Sequence, residues 1–303
     1  MLSLQDLRED SLTALFCSID DFCQEDLPLL AQTALPSTKG KRQRARSLSE
    51  SEIMTILVAF HQSHCRNFKA FYLGYVRLHW AEAFPGLVSY NRFVEFIPSV
   101  LVLLLRYLKS LFGLCSGISF VDSTALAVCH NRRICQHKVF KQTAQRGKTS
   151  VGWFFGFKLH LVINEHGELQ NVTVTTGNTD DRQPVPNLLR SVFGKVFGDK
   201  GYISQKLQEA LRTQNIELIT KPRKNMKVEK IRPLSATDQW LLRKRAIIET
   251  VIDQLKNISQ IEHTRHRAPS GFLWNLTAAL IAYCHQPKKP SLRWPEQALT
   301  TTC

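Results

Sequence analysis

The chain has 303 residues, with 40 Lys and Arg against 25 Asp and Glu, a net charge of +15 and a pI near 9.6. That length gives room for two domains or one large one and for a sizeable core. The positive excess favours nucleic acid or an anionic membrane surface as partner. A membrane reading is weak, because the apolar run Val100–Leu105 is broken by Arg106 and falls far short of a span. Asp6, Arg8, Glu9 and Asp10 leave no signal-peptide pattern. The eight cysteines are scattered, with only Cys129 and Cys135 close together, and read as reduced thiols in a cytoplasm.

The first third reads as helical. Lys39-Gly40-Lys41-Arg42-Gln43-Arg44-Ala45-Arg46 holds five basic residues and no acid, either a solvated linker or a phosphate-contacting arm. Ser49-x-x-Glu52 is a capping box ahead of Ile53, Met54, Ile56, Leu57, Val58 and Phe60. Phe68–Trp80 is aromatic and apolar, and Phe93–Phe112 is mostly apolar.

After Gly117 the pattern turns to strands. Ile118–Thr124 is a short apolar strand. Trp153–Ile163 and Leu169–Thr175 are two more, joined by a turn at Glu165-His166-Gly167. Then come a helix over Asp181–Ser191, a strand over Lys195–Asp199, a helix over Ile203–Thr213 and a strand over Ile216–Thr220. A long helix covers roughly Thr237–Ile258, a second apolar one covers Phe272–Cys284, and the tail from Pro287 is irregular. The order β-β-β-α-β-α-β-α predicts a mixed sheet flanked by helices, an α/β fold preceded by an all-helical region.

Three acids stand out. Asp122 lies in the apolar run Ile118–Ser123, and Asp199 ends the run Val196-Phe197-Gly198. An acid on a buried strand is costly unless it is paired or holds a metal. Glu249 lies on the long helix, where Arg245, Glu249, Ile252 and Lys256 fall at i, i+4, i+7 and i+11, within one stripe. Ile247, Ile248, Val251, Leu255 and Ile258 form another face. A solvated face with an i,i+4 ion pair is the bland alternative, and the strand-end aspartates tip the balance toward a site. Together the three acids would bind a hard divalent cation through oxygen.

Other features weigh less. Cys129-His130 and Cys135-x-His137 have irregular spacing for zinc, and a polar loop is favoured. Asp180 and Asp181 read as helix caps. Lys221–Arg232 holds six basic residues, Lys221, Arg223, Lys224, Lys227, Lys230 and Arg232, and one acid, Glu229. Such a run either tracks a DNA backbone or is a solvated loop. Trp153, Phe154 and Phe155 read as sheet core.

Asp122-Ser123-Thr124 after a strand, Gly198-Asp199-Lys200-Gly201-Tyr202 after a later one, and Arg245-x3-Glu249-x6-Lys256 on a C-terminal helix resemble the DDE transposases of bacterial insertion sequences. Gly156-Phe157-Lys158-Leu159-His160, Asp199–Ser204 and Arg265-His266-Arg267 are similar to the insertion-sequence 982 group. The resemblance spans about Ile118–Ser291. It implies a ribonuclease H-like fold and a metal-binding triad of Asp122, Asp199 and Glu249, loaded with Mg²⁺ or its substitute Mn²⁺. Cleavage at the element's ends would be followed by attack of the freed 3′-OH on target DNA. Arg245 and Lys256 would hold phosphates, with Lys200, Lys221, Arg223, Lys224 and Lys227 as further DNA contacts. The tyrosine of the related Tyr-x2-Arg-x3-Glu-x6-Lys signature is replaced by Leu242. The implied partners are double-stranded DNA, as terminal inverted repeats and target, and further copies of the chain in a dimer or larger assembly, with no membrane. The implied setting is a bacterial cytoplasm, at the nucleoid. The expected division is a helical region 1–112 for DNA binding or dimerisation, a catalytic domain 116–286 and a tail 287–303.

Overall fold

Ser49 opens a helix as its spacing to Glu52 predicts. Its hydroxyl accepts from the Glu52 amide, and the Glu52 carboxylate accepts from the Ser49 amide at 2.7 Å. The protein is described by a computed structural model over residues 9–33, 46–63, 65–222, 233–262 and 266–293. Packing divides the chain into two units.

The first unit runs to Leu111 and also takes in Leu255–Ile261 and His266–His285. It holds α1 (Glu9–Thr33), α2 (Glu50–Gln62), α3 (Phe68–Phe71), a π-helical stretch Tyr72–Val76, α4 (Arg77–His79), α5 (Tyr90–Phe96), a 3₁₀ turn Ile97–Val100 and α6 (Leu101–Ser110). Pro98 lies in that turn, so the apolar stretch 93–112 breaks into two helices. Proline has no amide to continue the α ladder. Ile53, Met54, Ile56, Leu57, Val58 and Ala59 of α2 are wholly buried, as befits a helix apolar on every side. Phe68 meets the rings of Phe60, Phe71, Tyr72, Tyr90, Phe93 and Trp274.

The second unit is Phe112–Gln254 with Glu262 and the stretch from Gln286. It holds β1 (Ile118–Cys129), β2 (Gln145–Lys148), β3 (Trp153–Asn164), β4 (Leu169–Thr176), α7 (Val185–Leu188), β5 (Gly194–Gly198), α8 (Gln205–Arg212), β6 (Ile216–Thr220), α9 (Ala236–Lys244) and α10 (Ala246–Asn257). The unit boundary falls inside α10. The last helix, α11 (Pro269–Cys284), packs with the N-terminal helices. The stretch 116–286, read from sequence as one catalytic domain, is thus shared between the two units. Within the first unit, His61 Nδ1 hydrogen-bonds the Ser259 carbonyl at 2.8 Å.

The sheet is mixed, in the order β2-β3-β1-β5-β6, with β4 also on β3. β1 is antiparallel to β3 and parallel to β5, and β5 is parallel to β6. The mixed α/β architecture agrees with the sequence reading, with differences that have local causes. β1 runs five residues past Thr124 to Cys129. β2, Gln-Arg-Gly-Lys, lacks β-formers and owes its strand to the edge of β3. The helix read over Asp181–Ser191 shrinks to four residues, with Pro184 and Pro186 at its start. The long helix is broken at Arg245 into α9 and α10.

Strand alternation sorts the two faces. Val121, Val162 and Val196 pack with Val185, Leu188, Leu189, Leu207, Leu211 and Tyr202. On the other face Phe120 stacks near Phe197, ring centroids 5.6 Å apart, and Lys195 pairs with Asp238 of α9 at 2.7 Å. Asp122 shares the face of Phe120.

Gly156 sits where the β1–β3 register shifts between Ala127 and Cys129. A Cβ there would stand 2.0 Å from the Leu126 carbonyl oxygen. Gly156→Ala is therefore expected to destabilise the protein by about 1–3 kcal/mol through overpacking. A lowered midpoint in thermal unfolding checks this, and an unchanged one would show that the strand pair relaxes freely. Among the described residues no helix is long and apolar enough to cross a membrane.

Candidate active site

The parallel pairing of β1 and β5 sets Phe120 opposite Phe197. Asp122 follows Phe120 by two residues and Asp199 follows Phe197 by two, and the charge of Asp199 acts on Asp122. Gly198 ends β5, so Asp199 lies just past the strand and is exposed. Asp122 is partly buried and Asp199 exposed, contrary to the expectation of two buried acids.

Asp122 is held on two sides. Its Oδ1 accepts the Ser123 amide at 2.8 Å, and its Oδ2 accepts Arg245 Nη1 at 3.0 Å. Arg245 Nη2 donates to Glu249 Oε1 at 2.5 Å. The guanidinium thus links the strand acid to the helix acid. Its side chain is 17% exposed and that of Asp122 20%, whereas that of Glu249 is 56% exposed. Burial raises the Asp122 pKa and the charge of Asp199 adds to the rise; the Ser123 amide and Arg245 oppose both. Arg245 occupies the break between α9 and α10, which aims it across the helix axis at Asp122.

Among the described residues no three His, Cys, Asp or Glu side chains stand close enough to hold one ion. The structure brings Asp122 next to Asp199 and ties Asp122 to Glu249 through Arg245. Lys256 lies in the last turn of α10, which belongs to the helical unit. Leu242, at the signature's tyrosine position, is buried core. Lys200 is exposed at the start of a 3₁₀ turn, Lys200–Tyr202, and Lys221 is exposed just past β6. Arg223, Lys224 and Lys227 lie outside the described residues, as do residues 39–45 of the N-terminal basic run. Arg46, the last of that run, bonds to Ser99 at 2.7 Å and Glu50 at 3.3 Å.

A polar cluster lies on the other sheet face, the one that carries Val121 and Val162, and of it Tyr202 feels the charge of Asp122. Tyr202 follows Asp199 by one turn, its amide donating to the Asp199 carbonyl at 3.0 Å. Its ring lies over Gly198, where a Cβ would stand 3.1 Å from it. The Tyr202 hydroxyl is buried without a well-formed hydrogen bond, and burial, then the charge of Asp122, raise its pKa. His160, cross-strand from Ser123, bonds through Nε2 to Thr175 Oγ1 at 2.8 Å, while its Nδ1 has no partner. Burial lowers its pKa to about 4. Lys158 reaches Asp181 at 2.9 Å and the Thr179 carbonyl at 2.8 Å. The sequence signal for this cluster was polar residues two apart, Lys158 and His160, inside an apolar strand.

Two sequence readings change, the caps at Asp180 and Asp181 and the burial of Trp153. Asp180 and Asp181 cap no helix: Asp180 pairs with Arg182, Asp181 with Lys158, and Pro184 holds the cap position of α7. Cys129, His130, Cys135 and His137 do not converge on a metal among the described residues. His130 caps a 3₁₀ turn, Asn131–Gln136, while His137 stacks on Phe140. Phe154 and Phe155 are core, but Trp153 is 62% exposed.

Among solved structures, the chain is similar to the piggyBac transposase synaptic complex with hairpin DNA, determined by cryo-EM. The TM-score is 0.51 at 12% identity, over 89% of this chain and 71% of that one, a likeness of fold alone. A pre-cleavage Mos1 transpososome matches at a TM-score of 0.26 and 10% identity, over 87% and 85% of the two chains, and carries no argument. No curated protein matches the sequence. The profile of a family described as "Transposase DDE domain" matches residues 112–269, just over half of the chain. That span takes in the whole sheet, with Asp122 inside β1, Asp199 just past β5 and Glu249 on α10, and by it the chain belongs to the DDE transposases.

Proposed function

We propose that the protein cuts the ends of an insertion sequence of the 982 type and joins the freed 3′-OH ends to target DNA. Asp122, Asp199 and Glu249 are its triad, on a ribonuclease H-like sheet. The observation that carries this reading is the approach of Asp122 on β1 and Asp199 just past the parallel strand β5, with Arg245 tying Asp122 to Glu249.

The donor set fits a hard divalent cation. Two carboxylates lie near one another, their mutual repulsion helps raise the Asp122 pKa, and a guanidinium already supplies positive charge between Asp122 and Glu249. A bound Mg²⁺ or Mn²⁺ supplies Lewis-acid activation of the attacking water and stabilisation of the leaving 3′ oxygen. Asp122 acts as the fixed anchor, because its carboxylate is buried and bonded on both oxygens. Glu249 is the movable arm. Arg245, once released from the acids, turns its planar fork to a phosphate, and Lys256 adds a point charge along the same helix. Lys200, Lys221, Arg223, Lys224 and Lys227 hold the backbone of the inverted repeat or the target. The N-terminal helices bind the terminal repeats or dimerise the protein, since two DNA ends must meet at one target. The setting is the nucleoid of a bacterial cytoplasm.

The test is incubation with the DNA that flanks the reading frame, Mg²⁺ and a target plasmid, scoring nicks and joined ends. Joined products are expected. Nicks with no joined ends would make the protein a nuclease without strand transfer, and binding with neither would make it a non-catalytic DNA-binding derivative.

Arg245 gives a second check. If its guanidinium fills the place of a cation, Arg245→Gln should tighten Mn²⁺ binding by the free protein about tenfold, or about 1.4 kcal/mol. The same change should weaken binding to end DNA. Calorimetric titration reads the first effect, and unchanged Mn²⁺ affinity would show that Arg245 does not compete.

A further inference from the structure

From Ser123 to Asn164 the chain carries no acidic residue. Six of its basic side chains, Arg132, Arg133, Lys138, Lys141, Arg146 and Lys148, are exposed, and none is ion-paired among the described residues. Other cations of the protein do pair, as Arg92 does with Glu95 and Arg182 with Asp180. A solvated basic surface would account for charge alone. It does not account for the apolar groups displayed among the charges. Val151 is 96% and Trp153 62% exposed at the tip of the β2–β3 hairpin.

This tip is ordered by its own bonds. Thr149 and Gly152 exchange amide-to-carbonyl bonds of 2.9 and 3.2 Å. Lys148 Nζ lies 5.7 Å from the centre of the Trp153 ring, the range of a cation–π contact. The Trp153 carbonyl accepts Asn131 Nδ2 at 2.7 Å, which binds the hairpin to the 3₁₀ turn bearing Arg132 and Arg133. The hairpin and the turn make one surface, with an aromatic ring between cations. Phosphates beside flat sugar and base faces have the complementary chemistry.

Its place relative to the acids follows from β1. Asp122 to Cys129 is seven residues of that strand, or about 23 Å at about 3.3 Å each. For duplex lying along β1, at about 3.4 Å per base step, that is about seven base pairs.

We propose that this hairpin and turn form a DNA-binding site in addition to any made by Lys221–Arg232. It would grip backbone about seven base pairs from the cut, with Trp153 packed on a sugar or base. The proposal rests on the transposase reading, which supplies the cut. The test uses the full-length protein and end DNA. It compares wild type with Arg146→Ala/Lys148→Ala, Arg132→Ala/Arg133→Ala and Trp153→Ala, in equilibrium binding across salt and in hydroxyl-radical footprints.

Each double variant should reduce the slope of log affinity against log salt by about 1.8. Trp153→Ala should weaken binding about five- to 150-fold. Protection should vanish about seven base pairs from the cleavage position and persist beside it. Wild-type slopes and footprints in all three variants would overturn this site and leave the transposase reading standing. A wild type that binds no DNA would overturn both. Variants that dissociate a dimer in sedimentation while keeping the wild-type salt slope would assign the surface to protein contact, against the proposal.

Discussion

Asp122→Asn, Asp199→Asn and Glu249→Gln are each expected to slow cleavage of end DNA about a thousandfold or more, on the order of 4 kcal/mol of barrier. Each change keeps the shape of the side chain and removes its charge. An amide is a poor ligand for a hard cation where a carboxylate is a good one. Binding of duplex DNA should survive in all three, because attraction to phosphate comes from Lys and Arg, and losing an acid from the same surface can only lessen repulsion. Cleavage of labelled end DNA in Mg²⁺, read beside gel retardation, separates the two effects. Wild-type cleavage by any variant removes that residue from the site. Loss of retention together with cleavage would give the residue a structural role instead.

The second large effect is on stability and comes from His160. Its ring is wholly buried, and burial holds its pKa near about 4 against an ordinary value of 6.5. The folded protein therefore resists a proton that the unfolded chain accepts. Stability from this group is complete above the unfolded value and is lost as pH falls through the folded one. Between pH 7 and pH 4 the loss should reach about 3 kcal/mol. His160→Gln keeps a donor and an acceptor near Thr175 and cannot titrate. Its urea-unfolding free energy should lie below wild type at pH 7 and decline less toward pH 4. Parallel declines in the two proteins would place the acid sensitivity in other groups.

The sheet was legible because its strands carry their own pattern. β3, β4, β5 and β6 lie within a residue or two of where apolar runs and turn residues put them. Gly167 takes the positive φ of 72° that the turn after β3 needs. β2 was not legible, since its strand character belongs to its neighbour. α7 was over-extended because Pro184 and Pro186 were outweighed by the apolar residues around them. At the site, the strand positions of Asp122 and Asp199 and the helical stripe of Arg245 and Glu249 could be read in advance. The i,i+4 spacing gave the Arg245–Glu249 pair. It could not give the contact from Arg245 to Asp122, which depends on where α10 lies against the sheet. Nor could it show Tyr202 near Asp122, since that requires knowing which side of each strand faces α7 and α8.

The alignment of Asp122 with Asp199 is set by residues that have no part in the chemistry. A one-residue slip between β1 and β5 would turn Val196 away from the valine face and drive Lys195 into it. The aromatic pair Phe120 and Phe197 would separate as well. The hydrophobic pattern thus keeps the two aspartates in line whether or not they remain acids. A copy of this chain that loses its acids by mutational drift, but spares Phe120, Val196 and Phe197, would still fold and would still present its cations. On the proposed function, such a copy would be a silent occupant of DNA ends, able to compete with active copies for the same sites.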